Sequence, residues 1–204
     1  PFASPFIKLP LEINTRTSQT IDGYAQLNWD AAFFNSHPFE LAYVGNPYSP
    51  HTIVVESVEF EDESLQIDDG DVIAIFDGEL CVGLGTWPLP GGQMSAGKDD
   101  GSGNGFSEGN DIYFKIWDED TGHIVTGVES PEITFAGLGL DYINLEAEKD
   151  RYTIYRNGQA IQTNFDGEDY QDDLLEANME YSYTISSSNS LGYESNLQRS
   201  RCSF

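Results

Sequence analysis

GNPYSPHTIVVESVEFEDESLQIDDGDVIAIFDGELCVGLG, Gly45–Gly85, is the stretch whose reading decides the fold class. Within it, Thr52–Val58 is rich in Ile, Val and Thr, and Val72–Phe76 is a second run of β-branched and aromatic residues. Side chains of these types favour a pleated, half-buried surface. Asp68-Asp69-Gly70 precedes the second run and Asp77-Gly78 closes it. An Asp-Gly step supplies the positive φ that a tight hairpin turn needs. The stretch reads as strands joined by acidic turns with no catalytic motif between them, and it predicts an all-β chain.

The 204 residues are enough to bury one large or two small cores. Nine Lys+Arg against 35 Asp+Glu give a net charge of −26, which repels phosphate backbones and anionic headgroups and makes nucleic acid an unexpected partner. No run approaches the ~18 apolar residues of a membrane helix, so membrane insertion is not expected. The chain starts at Pro1 with neither an initiator Met nor a signal peptide, which leads to the expectation of a processed, exported chain, extracellular or at the cell surface. Of the two cysteines, Cys81 lies in the apolar run Leu80–Leu84 and reads as a small buried thiol. Cys202 is placed to reach either Cys81 or a neighbouring chain, and the sequence leaves both open.

Three phrases, GNPYSPHTI, GDVIAIFDGELCVGLG and NDIYFKIWDEDTG (Asn110–Gly122), together resemble a β-sandwich module that recurs in secreted and cell-surface proteins of Bacteroidetes-type bacteria. That resemblance covers about residues 40–128 and implies export and display, with no catalytic residue to carry over. A composition break near Thr126–Pro131 sets the expected boundary. Beyond it, Tyr152-Thr153-Ile154-Tyr155-Arg156-Asn157-Gly158, Leu175–Ile185 and Asn189–Ser195 resemble the central strand, hairpin turn and following loops of a fibronectin type III domain. The resemblance implies that Tyr181 is a tyrosine-corner residue, its hydroxyl bonded to backbone upstream, with Tyr183 and Ile185 sharing its face by the two-residue period. The early strands depart from the family: Asp141–Ala147, DYINLEA, offers Ile143 and Leu145 where a Trp-containing strand is common, and the segment is small for the fold.

The expected organisation is therefore two tandem β-sandwich domains, the second fibronectin type III-like and so immunoglobulin-like. Residues 1–22 form an N-terminal strand and tether, 23–128 the first sandwich and 129–204 the second. In Phe6–Ile13, Ile7, Leu9, Leu11 and Ile13 alternate with Lys8, Pro10 and Glu12, so one face of this strand wants burial. Pro10 lacks an N–H and confines the strand to a sheet edge. The strand either opens the chain's own sandwich or completes the sheet of a neighbouring subunit. Head-to-tail completion would build a homopolymer.

Asp100–Asp111, DGSGNGFSEGND, carries the best chemical signal. Oxygen-bearing side chains fall at Asp100, Ser102, Asn104, Glu108 and Asp111, with Gly105 sixth and the Phe106 carbonyl seventh. The spacing resembles an EF-hand loop and predicts calcium as the one candidate cofactor. The closing residue is Asp rather than the longer Glu, and the flanks read as strands or loops rather than helices. Asp68–Asp71 and Asp118–Gly122 read as acidic hairpin connections. His37, His51 and His123 are isolated and read as surface or loop residues. No nucleophile elbow, zinc spacing or phosphate-binding glycine loop occurs, and no enzyme is expected. Of three tryptophans, Trp87 in the loop Gly85–Pro90 is the expected exposed aromatic, the anchor of an alternative role in binding polysaccharide. The leading expectation is a structural or adhesive protein of an extracellular filament, matrix or surface assembly.

Overall fold

The computed structural model describes residues 14–21, 24–30, 34–63, 65–149, 151–167, 169–176, 179–188 and 198–203. These residues are all-β, with fourteen strands and no α-helix. In chain order they begin with β1 (Asn14–Ile21), β2 (Tyr24–Asp30), β3 (His51–Phe60), β4 (Val72–Asp77), β5 (Leu80–Thr86), β6 (Gln93–Ala96) and β7 (Tyr113–Trp117). There follow β8 (Ile124–Ser130), β9 (Leu140–Glu148), β10 (Arg151–Arg156), β11 (Gln159–Phe165), β12 (Asp169–Asp172), β13 (Glu180–Ser188) and β14 (Gln198–Ser203). The chain divides into two compact units, and the second draws on both ends: Phe33–Glu148 belongs to the first, Leu9–Ala32 and Lys149–Phe204 to the second.

The first unit is one seven-stranded sheet in the order β5-β4-β7-β8-β9-β3-β6. Every pairing is antiparallel except β3 with β9. The two end strands approach each other: the Gly97 N–H donates to the Val82 carbonyl at 2.9 Å. A Cβ on Gly83 would stand 2.6 Å from the Ser95 carbonyl oxygen, so only glycine permits the approach. The sheet thus rolls around a single apolar core in which Ile53, Ile73, Phe114, Ile116, Ile143 and Leu145 are fully buried. The two-residue period is plain in β9, where Ile143, Leu145 and Ala147 point inward and Tyr142, Asn144 and Glu146 outward. Val72–Phe76 reads as a continuous apolar run because both its faces are covered. Phe39 packs edge-on to Phe76 at 5.8 Å, His37 lies against Trp117, and the Trp117 indole donates to the Phe34 carbonyl at 3.3 Å.

The second unit holds two sheets, β1-β2-β12 and β11-β10-β13-β14, the three-plus-four strand order of a fibronectin type III-like sandwich. Its core is Ala25, Leu27, Tyr152, Ile154, Tyr181, Tyr183 and Ile185. Asn157 and Gly158, with φ of 52° and 80°, make the two-residue turn between β10 and β11, as the Asn-Gly pair predicts. The tyrosine corner is present: the Glu176 N–H donates to the Tyr181 hydroxyl at 2.8 Å. Behind it, buried Asp172 accepts hydrogen bonds from the Tyr183 hydroxyl at 2.7 Å and from Arg156 at 2.9 and 3.1 Å.

Two expectations about organisation change. The boundary placed at 128/129 falls inside β8, and Asp141–Ala147, read as the opening of the second sandwich, is the middle of β9 in the first unit. The reason is pairing at long range: Thr52 to Phe60 pair with Leu140 to Ala147 and draw that segment away from its sequence neighbours. The early strands missing from the fibronectin-like pattern lie at the other end of the chain, where β1 occupies the last part of the segment 1–22 expected as strand and tether and pairs with β2. The sandwiches are therefore not in tandem, since the first unit interrupts the second between β2 and β10. Ile7, Leu9, Leu11 and Ile13 lie outside the described residues.

Removing the Tyr181 hydroxyl in Tyr181→Phe is expected to cost about 1 kcal/mol, the net worth of one hydrogen bond. Asp172→Ala leaves Arg156 and the Tyr183 hydroxyl without their shared acceptor and should cost about 3–5 kcal/mol. Denaturant melts of both variants, compared with the parent, check the order.

Candidate functional site

One end of the first unit gathers the loops before β3, between β6 and β7 and before β9. The Lys98 N–H donates to the Tyr48 carbonyl, Phe106 N–H to the Gly97 carbonyl and Leu138 N–H to the Pro50 carbonyl, at 2.8, 2.8 and 3.0 Å. This end contains the predicted calcium loop, and the loop folds differently from an EF-hand. Its organising carboxylate is Asp99, outside the predicted ligand set. One Asp99 oxygen accepts the N–H groups of Gly101, Gly103 and Asn104 at 3.0, 2.8 and 3.4 Å. Asp100 in turn accepts the Ser102 N–H at 3.1 Å and hydroxyl at 2.6 Å. These bonds hold both carboxyls below their ordinary range.

The remaining predicted ligands point elsewhere. The Phe106 carbonyl accepts the Asp99 N–H at 2.9 Å while its ring is buried and stacked on Phe135 at 4.7 Å. Glu108 is ion-paired with Lys98 and accepts the Gly137 N–H at 3.1 Å, which lowers its pKa and raises that of Lys98. Asp111 bridges through its backbone to Thr134. Gly105 serves a backbone crossing, since a Cβ there would meet the Lys98 carbonyl carbon at 2.4 Å. Asp100 is thus joined to the side chains of Ser102 and Asn104, while Glu108 turns to Lys98 and Gly137. No group of three or more His, Cys, Asp or Glu among the described residues is placed to hold a metal ion.

The other singled-out residues also find structural partners. The Trp87 side chain is half-buried against the core rather than exposed, and its backbone N–H donates to the Asp71 carbonyl at 2.7 Å. His51, read as a surface residue, is buried at the start of β3. Its Nδ1 accepts the Ala136 N–H at 3.1 Å and its Nε2 lies 2.8 Å from the Asp141 carboxylate. Cys81 is a free buried thiol whose pKa burial pushes up to about 11. The acidic turns also support each other: Asp71, 2 % exposed, accepts the N–H groups of Asp68 and Glu119, both at 2.9 Å. Asp118 accepts the Thr121 N–H at 2.8 Å in the turn joining β7 to β8.

What sequence reading missed lies just beyond this loop end. Ala136-Gly137-Leu138-Gly139 is a tight turn closed by the Gly139 N–H on the Ala136 carbonyl at 2.7 Å. The positive φ of 62° falls on Leu138, not on either glycine. A non-glycine residue held there costs about 1–3 kcal/mol. The flanking glycines have other duties: a Cβ on Gly137 would meet Ser49 Oγ at 2.9 Å, and one on Gly139 would meet the Ala136 carbonyl at 2.7 Å. Leu138, Leu140 and Tyr142 are 77, 56 and 54 % exposed. The signal for them was present in the alternation of β9, but the side facing water depended on which partner the strand takes.

No protein-family model matches the chain, and no curated protein matches it. Among solved structures the chain is similar to the fibronectin(III)-like modules of Clostridium thermocellum CbhA, at 9 % identity over 72 % of this chain and 88 % of that one, with a TM-score of 0.22. The strand order of the second unit rests on its own pairings.

Two outcomes follow from the electrostatics. With the loop acids already bonded to backbone N–H groups, adding millimolar calcium or a chelator is expected to leave the melting temperature unchanged; a rise with calcium would mean the six ligands regroup around it. Glu129 and Asp71 both sit above the usual carboxylate range, chiefly through burial, with Glu132 and Asp111 adding repulsion at Glu129 and Asp118 and Asp68 at Asp71. A raised folded pKa makes their stabilising effect complete below the ordinary carboxylate value and lost as pH rises through the folded value. Glu129→Gln should therefore melt higher than the parent near pH 7, with the difference shrinking towards pH 4, read by thermal denaturation at both.

Proposed function

We propose that this chain is a non-enzymatic structural or adhesive protein, exported to the cell surface or beyond, that works as a subunit of a filament, matrix or surface assembly. The observation that supports the reading is the division of labour among its side chains. The ionisable groups of the loop end, Asp99, Asp100, Glu108 and Lys98, bind the loops' own backbone and each other. Outward-facing leucine and tyrosine on β9 are left to water. A loop end whose ionisable groups are already partnered, beside exposed leucine and tyrosine, suits a protein that acts through its surfaces.

Within this reading, the alternating segment Phe6–Ile13 is the donor strand that completes a sheet of the next subunit. Backbone hydrogen bonds supply the affinity there, and Ile7, Leu9, Leu11 and Ile13 supply the register. Head-to-tail joining gives an open homopolymer.

A chain lacking residues 1–13 is expected to stay folded and monomeric where the full chain polymerises, as seen by sedimentation velocity and negative-stain microscopy. A full-length chain that remains monomeric at high concentration sinks the reading.

A further inference from the structure

The outer face of the first unit's sheet is unevenly covered. Over β4 and β7 the segment containing Phe34, His37 and Phe39 lies against Phe76 and Trp117. Over β9 and β3 the outward side chains stay exposed or half-exposed. Parallel pairing sets Thr52 beside Leu140 and Val54 beside Tyr142, and antiparallel pairing adds Ser95 and Gln93 from β6. Leu138, in the turn two residues before Leu140, is also exposed. One end of the face is thus apolar, formed by Leu140, Tyr142 and half-buried Val54, with exposed Leu138 in the adjoining turn.

The same strands change character further along. The Ser57 hydroxyl donates to the Asn144 side chain at 2.8 Å, and the next outward pair is Glu59 directly opposite Glu146, both exposed. Like charges facing each other across a strand pair are destabilising, and a cation placed between them removes the repulsion. Glu146 lies four positions beyond Tyr142 along β9, roughly 13 Å at the rise of a strand. A second copy of this chain, at −26, would bring more negative charge to that end. A neutral sugar would leave the glutamate pair as it is.

We propose that this face docks a polypeptide whose apolar side chains cover Leu138, Leu140 and Tyr142 and whose Lys or Arg side chains reach the Glu59–Glu146 pair. The inference rests on the chain being an interaction module, but it needs no polymer. Leucine at φ 62° is the specific mark of it: glycine or asparagine fits that turn position better, and leucine there places a large apolar side chain in solvent at the fold's expense. The apolar end supplies the contact area and the acidic end the orientation and salt dependence.

The test uses the full chain and a labelled synthetic peptide that alternates leucine with threonine in its first half and lysine with threonine in its second. A partner peptide with glutamate in place of lysine, and cellohexaose, serve as controls. Binding by fluorescence anisotropy is expected for the lysine peptide only. Leu138→Gly and Tyr142→Ala should each weaken it about tenfold. Leu138→Gly should melt no lower than the parent, which separates loss of docking from loss of folding. Glu59→Gln combined with Glu146→Gln should weaken binding about tenfold at low salt and leave it equal to the parent's at high salt, where screening removes the charge contribution.

Failure of the lysine peptide to bind, or parental affinity in Leu138→Gly and Tyr142→Ala, overturns the proposal. So does cellohexaose binding that Tyr142→Ala abolishes, which assigns the face to a glycan, and self-association that Leu138→Gly abolishes, which assigns it to a second copy. If the peptide is not bound while the full chain still polymerises through residues 1–13, this inference fails and the structural reading stands.

Discussion

The parallel pairing of β3 with β9 is the constraint on which the rest of the structure depends. It takes residues 140–148 into the first unit and aligns Ile143, Leu145 and Ala147 with the core, and it leaves Leu140, Tyr142, Asn144 and Glu146 on the opposite face. Burying side chains such as Ile143 and Leu145 is worth about 1.5–3 kcal/mol each. A slip of one residue would exchange the two faces, so the register is held firmly. Because the pairing closes a loop of about eighty residues, it also commits everything between β3 and β9 to the same sheet.

With β9 so engaged, the second unit must find its first two strands elsewhere, and it takes them from the start of the chain. Its two sheets then close on a core rich in tyrosine, in which hydroxyls need acceptors. Tyr183 finds Asp172, Asp172 finds Arg156, and Tyr181 turns back to the Glu176 N–H. Buried polar groups of this kind are tolerated because each is bonded, and their geometry selects one arrangement of the strands around them.

The same logic explains how so acidic a chain holds its loops. Asp71, Asp99, Asp100 and Asp118 each cap N–H groups of a turn, which satisfies backbone that no strand partner reaches. A calcium loop and a self-capped turn share their residue types, since both need oxygen acceptors at short spacing around glycines. They differ in whether the oxygens point to a common centre or to the chain's own amides, and spacing alone is silent on that.

Local chemistry was enough to read the all-β class, strands over Thr52–Val58 and Val72–Phe76 and the burial of Cys81, while the resemblance to a fibronectin type III domain supplied the turn after Arg156 and the shared face of Tyr181, Tyr183 and Ile185. The first group depends on side-chain type, period-two alternation and the φ preference of turn residues, which neighbours in sequence already supply. The allocation of strands to units, the partners of the Asp100–Asp111 acids, the burial of His51, the half-burial of Trp87 and the exposure of Leu138, Leu140 and Tyr142 were decided by tertiary structure. All of these turn on which distant strand pairs with which, and the free energy of such a pairing is shared between segments that the linear order keeps far apart.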